Sequence, residues 1–452
     1  MRNRFIIPIA AAVAAGSLIL AGCSGSPSGS ASTDPGGGAQ SGGGATGSTE
    51  PLILWHMESV PTRVEAWNTL IDQYNATDPA YPVQAQVQEW DSVYQGIAAA
   101  AQAGNQPDIL FAIPDFATYV RNLGLGQPVT STVEELDGEY DFLDAATAAY
   151  TDGGEVWAVP LYGMVQMLWY NRDSFEAAGL EAPTTWDELR AAAERLTQDG
   201  QSGIALPAGK NLASDQVLYS FMVTGGAGNW FTEDGEVDFD TPETVAALQL
   251  YKDLLAFSPK DSASFAWGEP QAAFNSGAAA MAVEKGQYLA PWEAESGLAP
   301  DRLGCAPIPV KDEGGQPGSI YYSNGAMVLA DDQARQDGAA AFLSWLMLPE
   351  NYGPFLEAEP GLFLPVTTDE AQISAWRSNE IIDTYSECVD AMLDQSKTGA
   401  LFGFVDGQYI ERIGDISGQN ILAQAIQRMY VSGESAEDAA AWAQAEMDKA
   451  LS

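Results

Sequence analysis

The sequence predicts an α/β fold, and three observations carry that expectation. Between Leu52 and Ala112, short apolar runs with strand spacing alternate with helical patterns, the order that builds a parallel sheet with helices on both faces. About 400 residues follow the N-terminal low-complexity stretch, enough for two or three domain-sized cores. Their apolar content is high, at 46% hydrophobic residues and 12 Trp over the whole chain, which excludes a disordered body. In the second half, helix-start signals recur at Thr185, Thr241 and Ser435.

Leu52-Ile53-Leu54-Trp55-His56 reads as the first buried strand. A helix follows Pro61, with Val64, Trp67, Ile71 and Tyr74 on its apolar face at spacings of three and four. Val83, Ala85 and Val87 alternate inside Pro82–Gln88 as a second strand, Val93–Ala101 returns as a helix, and Asp108–Ala112 is the third strand. Ligands of such sheets bind beyond the carboxyl ends of the strands. Trp55–Glu58, Glu89–Asp91 and Pro114–Phe116 are therefore expected around one mouth. Thr185-Trp186-Asp187-Glu188 has the form of a capping box and starts a helix through Leu189 and Ala193 to Leu196. Thr241-Pro242 opens another, with Val245, Leu248 and Leu255 inward. The chain ends in helices over 416–430 and from Ser435 to Leu451, and no internal repeat is present.

The N-terminus has the pattern of an export signal: Arg2 and Arg4, an apolar run from Phe5 to Leu20, then small residues. Leu20-Ala21-Gly22-Cys23 resembles the lipobox of bacterial lipoproteins, which implies removal of residues 1–22 and lipidation of Cys23. Two acyl chains, at about 0.8 kcal/mol per buried CH₂, hold a protein where one exchanges. The rest of the 23–50 segment is rich in Gly and Ser and reads as a flexible linker. Its coil dimension keeps the body roughly 30 Å from the anchor. The expected location is the outer face of the cell membrane, with membrane contact only through the lipid.

With 62 acidic and 19 basic residues the formal charge is −43. Such a field excludes nucleic acid and anionic membrane surfaces as partners. The acids are spread along the chain, so they read as a solvated surface suited to a saline habitat. Cys305 and Cys388 are the only cysteines besides Cys23; an oxidising compartment permits a bridge between them, and two free buried thiols are the alternative. His56 is the sole histidine and no C-x-x-C occurs, so neither a metal site nor a histidine-based triad is expected. No cofactor is expected.

Several segments, in order, resemble the extracellular solute-binding proteins of bacterial ABC importers, in the carbohydrate-binding group that includes maltose-binding protein. They are Leu52–His56; Ala103-Gly104-Asn105-Gln106-Pro107-Asp108-Ile109; Val159-Pro160 through Trp169-Tyr170-Asn171-Arg172-Asp173-Ser174-Phe175; and Ala178-Gly179-Leu180 with Pro183-Thr184-Thr185-Trp186-Asp187-Glu188-Leu189. Further on come Gly225-Gly226, Ala273-Phe274-Asn275-Ser276-Gly277 through Ala280-Met281, and Gly361-Leu362-Phe363-Leu364-Pro365-Val366. The resemblance implies a two-lobed type II periplasmic-binding fold that clamps its ligand between lobes and closes by hinge bending. It sets lobe 1 at 51–160 and 321–366, and lobe 2 at 163–318 and 370–452. Crossings are expected near Pro160–Gly163, Ile320–Asn324 and Pro365–Asp369.

The implied function is capture of an extracellular carbohydrate and delivery to a permease, by a non-catalytic monomer. Sugar binding needs flat aromatic platforms for C–H faces and fixed polar groups for hydroxyls. Aligned on the family's contact regions, the first lobe offers Met57, Glu58, Trp90, Asp115 and Phe116. The second offers Asp215, Trp230, Trp267, Gly286 and Tyr288, with Tyr288 and Trp230 as the expected stacking platforms. Tyr162, Asn324 and Phe363 lie at or near the crossings, and His56 either points into the cleft or is satisfied at its strand end. Met164 and Ala112 depart from maltose-binding protein, where an acid and a Trp would stand, so maltose itself is in doubt. The alternatives are another solute on the same fold (a polyol, a glycerol phosphodiester or a peptide) and a surface-anchored glycoside hydrolase with paired carboxylates.

Overall fold

The computed structural model describes residues 50–198, 200–232, 234–405 and 408–452. The expected leader, Cys23 and all of the linker except Glu50 lie outside these residues. Among the described residues no helix is long and apolar enough to cross a membrane.

The first sheet begins as the sequence alternation predicts. Leu52–His56 pairs in parallel with Val83–Val87 on one side and Ile109–Ala112 on the other. Leu52, Leu54, Val83 and all of Ile109–Ala112 are buried, while Ile53, Trp55 and Ala85 are half-buried and Val87 is exposed. The helix Pro61–Asn75 buries Trp67, Ile71 and Tyr74 of the face its spacing gave, with Leu70 in addition and Val64 half-buried. Beyond Ile109–Ala112 the sheet departs from the all-parallel expectation. Ser319–Val328 pairs antiparallel with that strand, and Val159–Val165 pairs antiparallel with Ser319–Val328. A strand arriving from a distant part of the sequence is free of the crossover geometry that keeps successive βαβ strands parallel.

Only Gln166 separates Val159–Val165 from Met167–Asn171, the central strand of a second sheet. Met281–Glu284 and Leu303–Ala306 flank it, both antiparallel. Leu212–Thr224 packs on Ser319–Val328 and on Pro242–Leu255, which in turn packs on Trp186–Leu196. The capping box forms: Thr185 Oγ1 accepts from the Glu188 N–H, and the Glu188 carboxylate accepts from the Thr185 N–H. Thr241 and Ser435 cap Pro242–Leu255 and Ala436–Leu451 as expected. The single helix expected over 416–430 is two, Ile413–Ser417 and Ile421–Tyr430. Asn420 breaks it, adopting φ 54°, and its side-chain amide donates to Asp215 instead of continuing the helix.

Of the three segments expected to cross between lobes, the first two lie side by side, whereas Pro365–Asp369 pairs with residues 141–143 and only its neighbour Leu364 reaches the first. Tyr162 pairs with Asn324 in the antiparallel ladder, whose register shifts between Asn324 and Gly325. On its other edge Gly163 exchanges backbone hydrogen bonds with Leu364, at 2.7 and 2.9 Å. Cys305, on the edge strand of the second sheet, is disulfide-bonded to Cys388 on the helix Ser386–Ser396.

Candidate functional site

A cavity of about 310 Å³ opens where the two sheets' surroundings face each other. The first-sheet side supplies Met57–Val60 and Arg63, Glu89–Asp91 at the start of the helix Trp90–Ala103, and Ile113. These are loops beyond the carboxyl ends of the three parallel strands, where the sheet's topology places a ligand. The second-sheet side supplies Leu212 and Gln216 from one helix, Trp267, Gly268 and Gln271 from another, and Lys285 and Gln287 from the loop after Met281–Glu284. Met164 and Leu362 close the wall between the crossing segments.

The polar groups of this wall are fixed by one another. Arg63 Nη1 donates to Glu58 Oε2 at 2.9 Å, and Arg63 Nε donates to Glu359 at 2.8 Å. The Tyr162 hydroxyl donates to the other oxygen of Glu58 at 2.8 Å. Burial pulls the Arg63 guanidinium toward deprotonation, but the two carboxylates outweigh it and raise its pKa. Across the cavity, the Lys285 ammonium sits 3.8 Å above the Trp267 ring and 3.3 Å from Glu284 Oε1. Burial lowers the Lys285 pKa, a shift that Glu284 opposes without cancelling. Gln271 donates to the Gln287 carbonyl at 2.9 Å. The side-chain oxygens of Gln216 and Gln287 are buried without a partner.

Met57, Glu58, Trp90 and Trp267, all expected from sequence, line the cavity. Nine other expected residues do not. Tyr288, the expected platform, is fully buried and lies parallel to Trp169 at 5.3 Å, serving the core behind the wall. Trp230 is likewise core, stacked on Phe402 at 5.3 Å with its N–H on the Ala227 carbonyl. Asp115 and Phe116 sit beneath the mouth, packed against Tyr94, whose hydroxyl donates to Asp115 at 3.3 Å. Asp215 turns toward the C-terminal helices, accepting from Asn420 Nδ2 at 2.7 Å and the Ala423 N–H at 2.6 Å. Tyr162 and Phe363 pack on each other at 3.9 Å, one layer behind Glu58, and Asn324 is buried in the crossing strand. Gly286 has no side chain to offer because a Cβ there would lie 2.0 Å from the Gly361 carbonyl oxygen. His56 neither faces the cavity nor finds a partner. It is fully buried, stacked on Trp67, and burial holds its pKa down at about 4.

Arg63, Gln216, Gln271, Lys285 and Gln287 were not expected. Gln216 was missed by one helical position: Leu212 and Gln216 share a face one turn apart, and Asp215 points about 100° away. Lys285 and Gln287 flank Gly286, so polar neighbours of a close-approach glycine were the available signal.

A family model described as bacterial extracellular solute-binding protein matches residues 60–353, well over half of the chain. The chain belongs to this family. This solute-binding protein is 24% identical over 387 residues to the putative ABC transporter periplasmic-binding protein YcjN of Escherichia coli K12, covering 84% of this chain and 88% of that one. Among solved structures, a solute-binding protein from Thermotoga lettingae bound with α-D-tagatose superposes with a TM-score of 0.74 at 21% identity. That match covers 89% of this chain and 100% of the other. UgpB from Mycobacterium tuberculosis, in complex with glycerophosphocholine, gives a TM-score of 0.70 at 20% identity over 89% and 98% of the two chains. The solute-binding protein thus has the two-lobed type II periplasmic-binding fold.

Proposed function

We propose that this solute-binding protein captures an extracellular carbohydrate between its lobes and delivers it to the permease of an ABC importer. The observation that carries the reading is the cavity itself, with the indoles of Trp90 and Trp267 on walls from opposite sheets and amide, carboxylate and ammonium groups between them. Aromatic faces match sugar C–H faces, and the fixed polar groups match hydroxyls. At about 310 Å³ it stands near the lower end of the range of about 300–1,000 Å³ for ligand pockets, which favours one or two sugar rings over a long oligosaccharide. In this reading Met57, Glu58, Trp90 and Trp267 touch the ligand. Residues 51–160 with 321–366 and residues 163–318 with 370–452 form the lobes that close on it, and Cys23 carries the lipid that holds the monomer beside its permease.

Thermal denaturation against a panel of mono- and disaccharides and polyols tests this. A true ligand at 100 times its Kd adds about 2.7 kcal/mol of stability. Stabilisation by a polyol alone selects the polyol version of the same receptor. Release of monosaccharide from a disaccharide, or no stabilisation by any solute, overturns the receptor reading.

A further inference from the structure

Two of the cavity-lining residues are cationic, and neither is free to meet an anion. Arg63 is held at two points by Glu58 and Glu359, and Glu58 is fixed in turn by the Tyr162 hydroxyl. Lys285 is held by Glu284, which is fully buried, and by the Trp267 ring. Glu284 Oε1 accepts from the Lys285 backbone N–H and ammonium at 3.1 and 3.3 Å while Oε2 has no partner, so among the described residues the Lys285 ammonium is the one cation bonded to that buried carboxylate. Resting on the receptor reading above, we propose that the cavity accepts uncharged hydroxylated solutes and rejects anionic ones, and that Glu284 sets this choice as a positioning residue by holding Lys285.

An anion approaching Lys285 would place a second negative charge beside buried Glu284, and a buried charge without its own counter-ion is costly. At the mouth, exposed Glu89 and Asp91 flank Trp90, inside the field of a chain of formal charge −43. The unpartnered oxygens of Gln216 and Gln287 demand donors. Hydroxyl groups supply donors to those oxygens and lone pairs to the remaining protons of Lys285; a carboxylate or phosphodiester group has no proton to give at neutral pH.

The experiment measures affinity by calorimetry for matched pairs: each neutral sugar or polyol that binds, and its anionic counterpart. Suitable pairs are glucose with glucuronate, galactose with galacturonate, and maltose with maltobionate. Wild type is expected to bind the neutral member at least about tenfold more tightly in each pair. In Glu284→Gln, which releases Lys285, the anion-to-neutral affinity ratio is expected to rise by about tenfold or more. Glu284→Gln with Lys285→Gln is expected to abolish that rise, which a merely structural effect of the first substitution would not do. If Glu284→Gln fails to fold, the wild-type pairs decide alone. Equal or tighter binding of the anionic members overturns the selectivity while leaving the receptor reading intact. An unmoved ratio in folded Glu284→Gln removes Glu284 from the role. Binding of no member of any pair overturns both readings.

Discussion

Trp169 lies face to face with Tyr288, ring centroids 5.3 Å apart and planes 8° from parallel, and its indole N–H donates to the carbonyls of both Glu284 and Lys285, at 2.9 and 3.0 Å. A core aromatic on the second sheet's central strand thus fixes the backbone that presents Lys285 to the cavity. Trp169→Phe keeps most of the stack and deletes the donor, with an expected loss of about 1 to 3 kcal/mol as two buried carbonyls lose a partner. Because it frees the Lys285 loop, it should weaken solute binding as well. Urea denaturation and calorimetry on one preparation check this; lost stability with undiminished affinity would uncouple Trp169 from the site.

Trp90→Ala and Trp267→Ala should each weaken binding of the cognate sugar by about 1 to 2 kcal/mol, a factor of roughly 5 to 30. Trp230→Ala, which empties a position in the core against Phe402, Tyr219 and Phe239, should instead cost about 3 to 5 kcal/mol of stability. Calorimetric Kd values set beside melting curves separate these outcomes. A loss of affinity confined to Trp230→Ala would reverse the assignment of platform and core.

Two buried carboxylates make stability depend on pH. Burial pushes Asp115 up to about 6 and Asp215 up to about 7, and hydrogen bonds from Ser417 and Asn420 offset this only in part. In the unfolded chain such groups titrate near 3.9, so between about pH 4 and pH 7 the folded protein retains protons the unfolded one has lost. Their contribution is therefore favourable at low pH and is lost as pH rises through the folded values, by roughly 3 kcal/mol for Asp115. His56 runs the other way. With its folded pKa near 4 against about 6.5 unfolded, it withdraws stability as pH falls through that window. Asp115→Asn should raise stability at pH 8 and leave a steeper loss on acidification. Urea titrations at pH 4.5, 6 and 8 read this directly, and parallel curves for variant and wild type would refute it.

The Cys305–Cys388 bridge joins residues 83 apart in sequence. Replacing both with Ser should lower stability by about 2 to 4 kcal/mol, chiefly by freeing the unfolded chain. Melting curves with and without reductant should differ for the wild type and coincide for the double variant; identical wild-type curves would show that the bridge contributes nothing.

Much of the first sheet, and the Thr185 cap outside it, was legible because these features obey local rules: the Val64–Tyr74 spacing, the alternation at Val83–Val87 and the cap each act within one helix or one strand. The antiparallel arrival of Ser319–Val328 was not, since ladder direction is set by where a distant strand comes from. The mouth was legible in outline, as Met57, Glu58 and Trp90 follow strand ends. On the other wall, aromatic chemistry alone could not separate Trp267 from Trp230 and Tyr288, because a ring that packs a core and one that meets a sugar have the same composition. Helical register decided Gln216 over Asp215, a difference of one residue that only the packing of Leu212–Thr224 fixes.

Gly286 and Gly361 meet backbone to backbone, with no room for a methyl group on the first. At Gly361 a Cβ would in turn fall 2.5 Å from Leu289 Cδ1 and 2.9 Å from the Gly286 carbonyl oxygen. Any larger residue at either position would act as a shim, prising the Lys285 loop away from the segment that pairs with Gly163. The smallest side chains in the chain therefore set a mechanical stop, and the narrowest tolerance for substitution near the cavity belongs to two residues that offer a solute nothing to hold.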